Sequence, residues 1–569
     1  MEIKEPLLGT SMAKGGLRTL PFIIANEAFE KVASFGISPN MIMYLMGSYG
    51  MELATGSTLI YYWSSATSLA PVIGAFLADS YVGRFSMIGF GSIFSLLGMI
   101  LLWLTTIIPG ATPCDESNTK CTSLNYFRLS VLVSSFGMMS IGAGGVRSSS
   151  LAFGTDQLLK EDNHGNTGIL ERFFNWYYVA TCAAIIFAVT CVVYIQDHFG
   201  WIVGFGVPVV LMLLSALFFF LASPFYIKSK AEAESPMALA QVFIAYFKKR
   251  HFKFSENHDK LYHRRIGSKL VMPSDNLRFL NKACMVVNAE EELTEGGKAI
   301  DPWSLCTIET VEELKSLIRV IPIWSTGIIF SINPSPFNVL LTKSMDRHIT
   351  SNFEIPAGSF VGFLVISAVS WIVIYDLIFM PLATKMMGKP VRLSARKRMG
   401  IGILLSCLSM AVNAIVEGIR RETAIKEGFS DDPNGVTDMS ALWLLPHLWF
   451  SGMADVFFII GQNEFFCSVF PKSMRSVATN LGGVSMSLAS VFSSLILNAT
   501  DYITSRGGKE SWVSSNINKA HFDYYYWVFT GLCLLNFFYY LICNKAYGPS
   551  YEEQDDKSRD HEDIGHCTL

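Results

Sequence analysis

PFIIANEAFEKVASFGISPNMIMYLM, residues 21–46, raises the question on which the fold turns. Nearly all of it is apolar, and it exceeds the roughly 20 residues a helix needs to cross a bilayer. Yet Glu27, Glu30 and Lys31 stand inside it. A charge at mid-membrane is costly and faces a bundle interior or a water-filled cavity. Positions i, i+3 and i+4 share one helix face. The three groups can therefore point together into a cavity, with Glu27 and Lys31 paired. Burial disfavours a charged carboxylate while the lysine favours it. Two carboxylates facing one cation leave a proton site to spare, which reads as a proton switch; a static ion pair is the plainer alternative.

The apolar pattern recurs along the chain. Of 569 residues, 51% are hydrophobic and 16% charged, against about 25% charged in an average protein. Apolar spans fall near 20–46, 56–78, 85–109, 126–150, 171–195, 201–222, 314–341, 357–384, 398–419, 438–468, 474–499 and 524–544. The expectation is an all-α membrane protein of twelve transmembrane helices, six plus six. Residues 1–222 form an N-terminal bundle, 223–313 a central loop, 314–545 a C-terminal bundle, and 546–569 an acidic, disordered tail.

Loop charge sets the orientation. The central region holds thirteen Lys and Arg, and the loop near 385–398 holds six, whereas 47–55 and 196–200 hold none. The central loop and both termini are therefore expected in the cytoplasm. Cys114 and Cys121 then share an outer loop, where a disulfide needs an oxidising compartment. The segment SPMALAQVFIAYFKKRHFKF, 235–254, reads as an amphipathic helix at the membrane surface or equally as a cytosolic linker helix.

Several function classes are disfavoured. The 11 cysteines show no CxxC and no Cys/His cluster, so no metal site is expected. No HExxH, nucleophile–base pair or phosphate loop points to an enzyme, and no long basic run suits nucleic acid.

Two further charges lie inside spans: Arg147 in MMSIGAGGVRSSSLAFGTDQ and Asp455 in HLWFSGMADVFFIIGQNEFF. One belongs to each half, so they read as partners across a central cleft, forming either a gate or a permanent bridge. Asp79 and Arg84 in GAFLADSYVGRF, and Asp376 in the comparable turn YDLIFMPLATK, read as hinge and capping residues. Glu464 is expected to pair with Lys472 or Arg475.

At these residues the sequence resembles the proton-dependent oligopeptide transporters of the major facilitator superfamily. GAFLADSYVGRF is similar to their signature turn, RFFNWYYVATCAA (172–184) to their fifth-helix signature, and NEAFEKVASFG to their first-helix ExxER motif. WSLCTIETVEELKSLIRVIPIW (303–324), MDRHITSNFEIPAGSF (345–360) and the run from IGQNEFF to PKSMRS (460–476) resemble the plant branch, the nitrate transporter 1/peptide transporter family. The resemblance implies two six-helix bundles with alternating access, import driven by the proton gradient, and no cofactor other than the coupling protons. It implies proton coupling by Glu27, Glu30 and Lys31, and a basic residue, Arg147, facing an acidic one, Asp455. It also favours the plasma membrane.

The departures bear on substrate. Lys31 replaces the usual arginine and loses its planar fork. Ser34 and Phe35 stand where peptide transporters carry tyrosines. The seventh span has no histidine, but Asn333 could donate a hydrogen bond. The leading expectation is a proton-coupled importer of nitrate. A carboxylated hormone such as gibberellin or abscisic acid comes second, and di- or tripeptides third. A nutrient sensor with the transporter fold is the reading from another class.

Overall fold

The computed structural model describes residues 15–108, 126–158, 167–228, 238–252, 262–265, 272–294, 296–388, 393–471 and 474–548. Cys114, Cys121, Lys472 and the acidic tail lie outside the described residues.

The first span is broken. Helix α1 (Leu20–Ile37) is followed, after Ser38–Asn40, by α2 (Met41–Tyr49), which ends at Gly50 with φ 62°. A left-handed conformation of this kind favours glycine. Helix α3 (Leu53–Leu77) runs into a five-residue π-helical segment, Ala78–Val82, and α4 (Arg84–Ile107) and α5 (Tyr126–Leu158) follow. Helix α6 (Thr167–Phe187) continues through a second π-helical segment into α7 (Val193–Leu221). Gly200, at φ 78°, turns the chain within α7, so α6 and α7 together supply the fifth and sixth spans.

The second half repeats this plan. After α8 (Ala238–Lys249) and the single turn α9 (Ala289–Glu292), α10 (Ile308–Phe330) and α11 (Ser335–Lys343) make a broken seventh span. Helix α12 (Val361–Ile374) passes through a third π-helical segment, Tyr375–Phe379, into α13 (Met380–Met387). Helices α14 (Ala395–Lys426), α15 (Leu445–Val469), α16 (Arg475–Thr504) and α17 (Phe522–Tyr547) complete twelve spans in two bundles of six. Small strands join the loops after α11 and α14: β1 (Met345–Asp346) pairs with β4 (Thr437–Ser440), and β2 (His348–Thr350) with β3 (Phe353–Glu354).

By length and composition alone, eight helices among the described residues qualify as membrane-crossing. One of these eight is the merged Arg172–Phe225 helix, which holds two spans. The spans that fail the test are α1–α2, α3 and α10–α11. They carry Glu27, Glu30 and Lys31, a run of Ser and Thr, or Glu309 to Lys315.

The halves meet along α3 and α16. Leu53 N donates to Ser515 Oγ, Asn498 Nδ2 to Thr58 Oγ1, Tyr61 OH to the Asn333 carbonyl and Ser490 Oγ to Ser64 Oγ, while Ser65 and Ser487 share a bond. Ile42, Leu53 and Tyr61 also join the C-terminal apolar core around Phe337, Phe360 and Leu444. These contacts close the end of the molecule away from the central segment.

The central segment is more than a polar loop. Val242 and Ala245 of α8 pack on Leu280, Ala283, Cys284 and the first turns of α10 at Ile308, Val311 and Leu314. Helix α10 therefore starts six residues before the expected span, capped by Thr307. Burial pushes the Cys284 thiol up to about 12 and the Cys306 thiol up to about 11. Both behave as packing residues.

Candidate functional site

Glycine and serine on α5 let it lie close to its neighbours. A Cβ on Gly145 would stand 2.7 Å from Gly91 Cα on α4, and one on Gly144 2.8 Å from the Ala70 carbonyl oxygen on α3. Small residues of this kind let backbones approach closely. Two residues further on, α5 projects Arg147 toward α1.

Glu30 is fully buried, and Arg147 forks onto it: Nη2 to Oε1 at 2.9 Å and Nε to Oε2 at 3.1 Å. Ser34, one turn along α1, donates to the same carboxylate at 2.6 Å. Lys31 Nζ stands 3.5 Å from Glu27 Oε1, and Glu27 Oε2 is buried without a hydrogen-bond partner. Tyr177 of α6 lies beside Glu27. Phe35 sits between the cations, its ring centroid 5.9 Å from both Lys31 and Arg147. The side chains of Lys31 and Arg147 keep 15% and 20% exposure, whereas that of Glu30 keeps none.

Arg147 is thus held by Glu30 in its own half, not by Asp455 across the cleft. The Arg147–Asp455 pair expected from sequence is not formed in this arrangement. Helix α1 packs next to α5 and reaches Arg147 first. Asp455 is half-buried on α15 and makes no hydrogen bond or ion pair among the described residues. Asn333 contributes its carbonyl to Tyr61, while its side chain borders a cavity of about 90 Å³ lined also by Asn338, Asn413, His447 and Phe360.

Asp79 and Arg84 belong to one closed triad. Arg84 Nε donates to Asp79 at 3.1 Å and Nη1 to Asp156 at 2.8 Å. Asp376 lies in the matching π-helical segment of the second half. There Arg398 Nη1 donates to Glu464 at 3.1 Å; the expected Glu464 contact with Lys472 or Arg475 falls on side chains outside the described residues. The sequence reading missed Tyr177, although RFFNWYYVATCAA contains it. It also missed the buried Glu417–Arg420 pair, which Asn518 and the Ile517 carbonyl complete. The spacing EGIR, i and i+3 in an apolar span, was the available signal. Among the described residues, no three His, Cys, Asp or Glu form a metal-binding group.

The sequence matches the profile of the POT family (PTR2) over residues 85–513. It is 49% identical to Protein NRT1/ PTR FAMILY 1.2 of Arabidopsis thaliana, covering 95% of this chain and 91% of that protein. It is 48% identical to Protein NRT1/ PTR FAMILY 1.1 of the same plant, covering 95% and 93%. The crystal structure of the POT family transporter PepTSo superposes with a TM-score of 0.67 over 96% of this chain and 99% of that one, at 16% identity. A POT family transporter in complex with 5-aminolevulinic acid gives 0.61 over 95% and 99%, at 12% identity. Likeness at this identity shows the shared major facilitator fold.

Proposed function

The chain belongs to the POT family and to its plant NRT1/PTR branch, a family of membrane transporters and not enzymes, and from that premise we propose that it imports nitrate with protons by alternating access. The observation that carries the proposal is the Arg147 fork on Glu30 beside the Lys31–Glu27 pair. Protonating Glu30 removes one side of a charge-assisted bond and frees a planar guanidinium, which can hold a planar anion through two parallel bonds. Protonating Glu27 likewise leaves Lys31 unneutralised. Nitrate is then favoured between the two cations, against the face of Phe35, and buried charges interact strongly because the effective dielectric is low.

Asp455 is the partner that Arg147 takes when the cleft changes shape. Exchange between Glu30 and Asp455 is the gate, and Asp79, Arg84 and Asp376 are the hinges at the helix turns. The seal along α3 and α16 supports a state that opens toward the central segment. Positive charge on that segment supports a cytoplasmic placement, and the plasma membrane is the proposed location. Two protons with one nitrate move one net positive charge inward. Membrane voltage then assists by about 2.3 kcal/mol per 100 mV.

The second reading, an organic anion such as gibberellin or abscisic acid, is favoured by the apolar wall of the cavity beside Asn333, which includes Phe360, Leu364 and Leu448. Voltage-clamped oocytes expressing the chain at acidic external pH separate the readings. An inward current with nitrate, but with neither gibberellin nor a dipeptide, is expected. Labelled gibberellin accumulating without a nitrate current would transfer the site to the second reading.

A further inference from the structure

The π-helical segment of the C-terminal half, Tyr375–Phe379, borders a groove that the transport site does not use. It has a volume of about 170 Å³ and lies between α12, α14 and α15, bordered by Trp371, Tyr375, Asp376, Arg398, Phe457 and Ile460. Two donors in it are buried without a hydrogen-bond partner, Trp371 Nε1 and Arg398 Nε. An unmet buried donor is costly, so a pair of them beside one cavity asks for an acceptor. Arg398 is fixed by its other nitrogens, Nη1 on Glu464 at 3.1 Å and Nη2 on the Tyr375 hydroxyl at 3.4 Å. The Asp376 carboxylate borders the same groove and has no hydrogen bond or ion pair among the described residues. Two N–H donors without a partner and an unpaired carboxylate thus belong to residues that border this one groove.

The place is also informative. Arg398 stands in the first turn of α14, at the end of the bundle that carries the central segment. Leu377, Ile378, Phe379 and Leu382, all more than half exposed, spread an apolar surface next to the groove. Arg, Trp and Tyr beside such a surface mark the headgroup level of a bilayer. π-helical segments, here Tyr375–Phe379, recur at functional sites.

We propose that this groove binds the headgroup of an aminophospholipid of the adjoining leaflet, its phosphate on the Trp371 and Arg398 N–H groups and its primary ammonium on Asp376. A choline headgroup has no N–H to give the carboxylate. A glycerol headgroup brings an anion toward Asp376 and Glu464 with no cation to offset them.

Native mass spectrometry of the purified full-length protein, loaded with equal amounts of phosphatidylethanolamine, phosphatidylcholine and phosphatidylglycerol of identical chains, tests this. The ethanolamine lipid should be retained about tenfold over the others. Asp376→Asn should bring it to the choline level, and Asp376→Glu should restore the preference. Ile460→Trp, which fills the groove and leaves every polar group in place, should abolish retention. Variants are compared only as monodisperse protein of wild-type Tm. Equal retention of the three lipids, or an unchanged preference in Asp376→Asn, overturns the site. Displacement of the lipid by millimolar phosphoethanolamine overturns the membrane as its source.

Discussion

Arg84 and Arg398 occupy comparable places, one in each half: Arg84 opens α4 directly after the π-helical segment Ala78–Val82, and Arg398 stands in the first turn of α14, beyond the segment Tyr375–Phe379 and α13. Arg84 is closed on two carboxylates, Asp79 and Asp156. Arg398 meets one, Glu464, and leaves Asp376 outside. The same contrast holds deeper in the membrane. Glu27 with Lys31 and Glu30 with Arg147 are paired in the N-terminal half, while Asp455 in the C-terminal half stands alone among the described residues. Among the described residues, the buried Glu417–Arg420 pair breaks the pattern. A charge with its partners built in holds a shape. A charge left free is available to something that arrives, whether a moving arginine, a substrate or a lipid.

The largest effect should come from breaking a closed pair. Arg147→Ala strands the buried Glu30 carboxylate, and removing one partner of a buried pair costs about 3–5 kcal/mol. Thermal unfolding in detergent should show a Tm lower by many degrees. Asp455→Asn removes a charge that has no partner to strand, so its Tm should stay within a degree or two while uptake falls. Equal losses of Tm in the two variants would break the comparison.

A smaller effect should appear at His521, before α17. Burial, and then Arg421 at 3.1 Å, push its pKa below the ordinary value. The folded state therefore binds the proton less readily than the unfolded chain. Stability is fully present above the unfolded pKa of about 6.5 and falls as pH drops below it. Tm measured from pH 7.5 to 5 should decline, and His521→Gln should flatten part of that decline. An identical slope in the variant would remove His521 from the account.

Much of the fold was legible because membrane spans are written locally, as long apolar runs. The face shared by Glu27, Glu30 and Lys31 was legible for the same reason, since helical spacing fixes it. The break at Ser38–Asn40 and the one between Phe330 and Ser335 were not read, although Pro39 with Asn40, and Asn333 with Pro334 and Pro336, mark them, because the apolar runs on either side of each merge into one span. Partner choice was the least legible feature. Arg147 could pair with either Glu30 or Asp455, and Glu464 with several cations. Only packing of α5 on α1, and of α14 on α15, decides those contacts. The core under α8 was hidden because its partners lie 35 or more residues away in a region of high polarity.

The central claim is that protonation of Glu30 releases Arg147 and so couples proton entry to anion entry. Glu30→Gln in proteoliposomes tests it most directly, with labelled nitrate followed both under an imposed pH gradient and in exchange without one. The account predicts that gradient-driven accumulation is lost, because no proton can be taken up at that position, while nitrate exchange continues. Accumulation at the wild-type level, with the same dependence on the gradient, would contradict it.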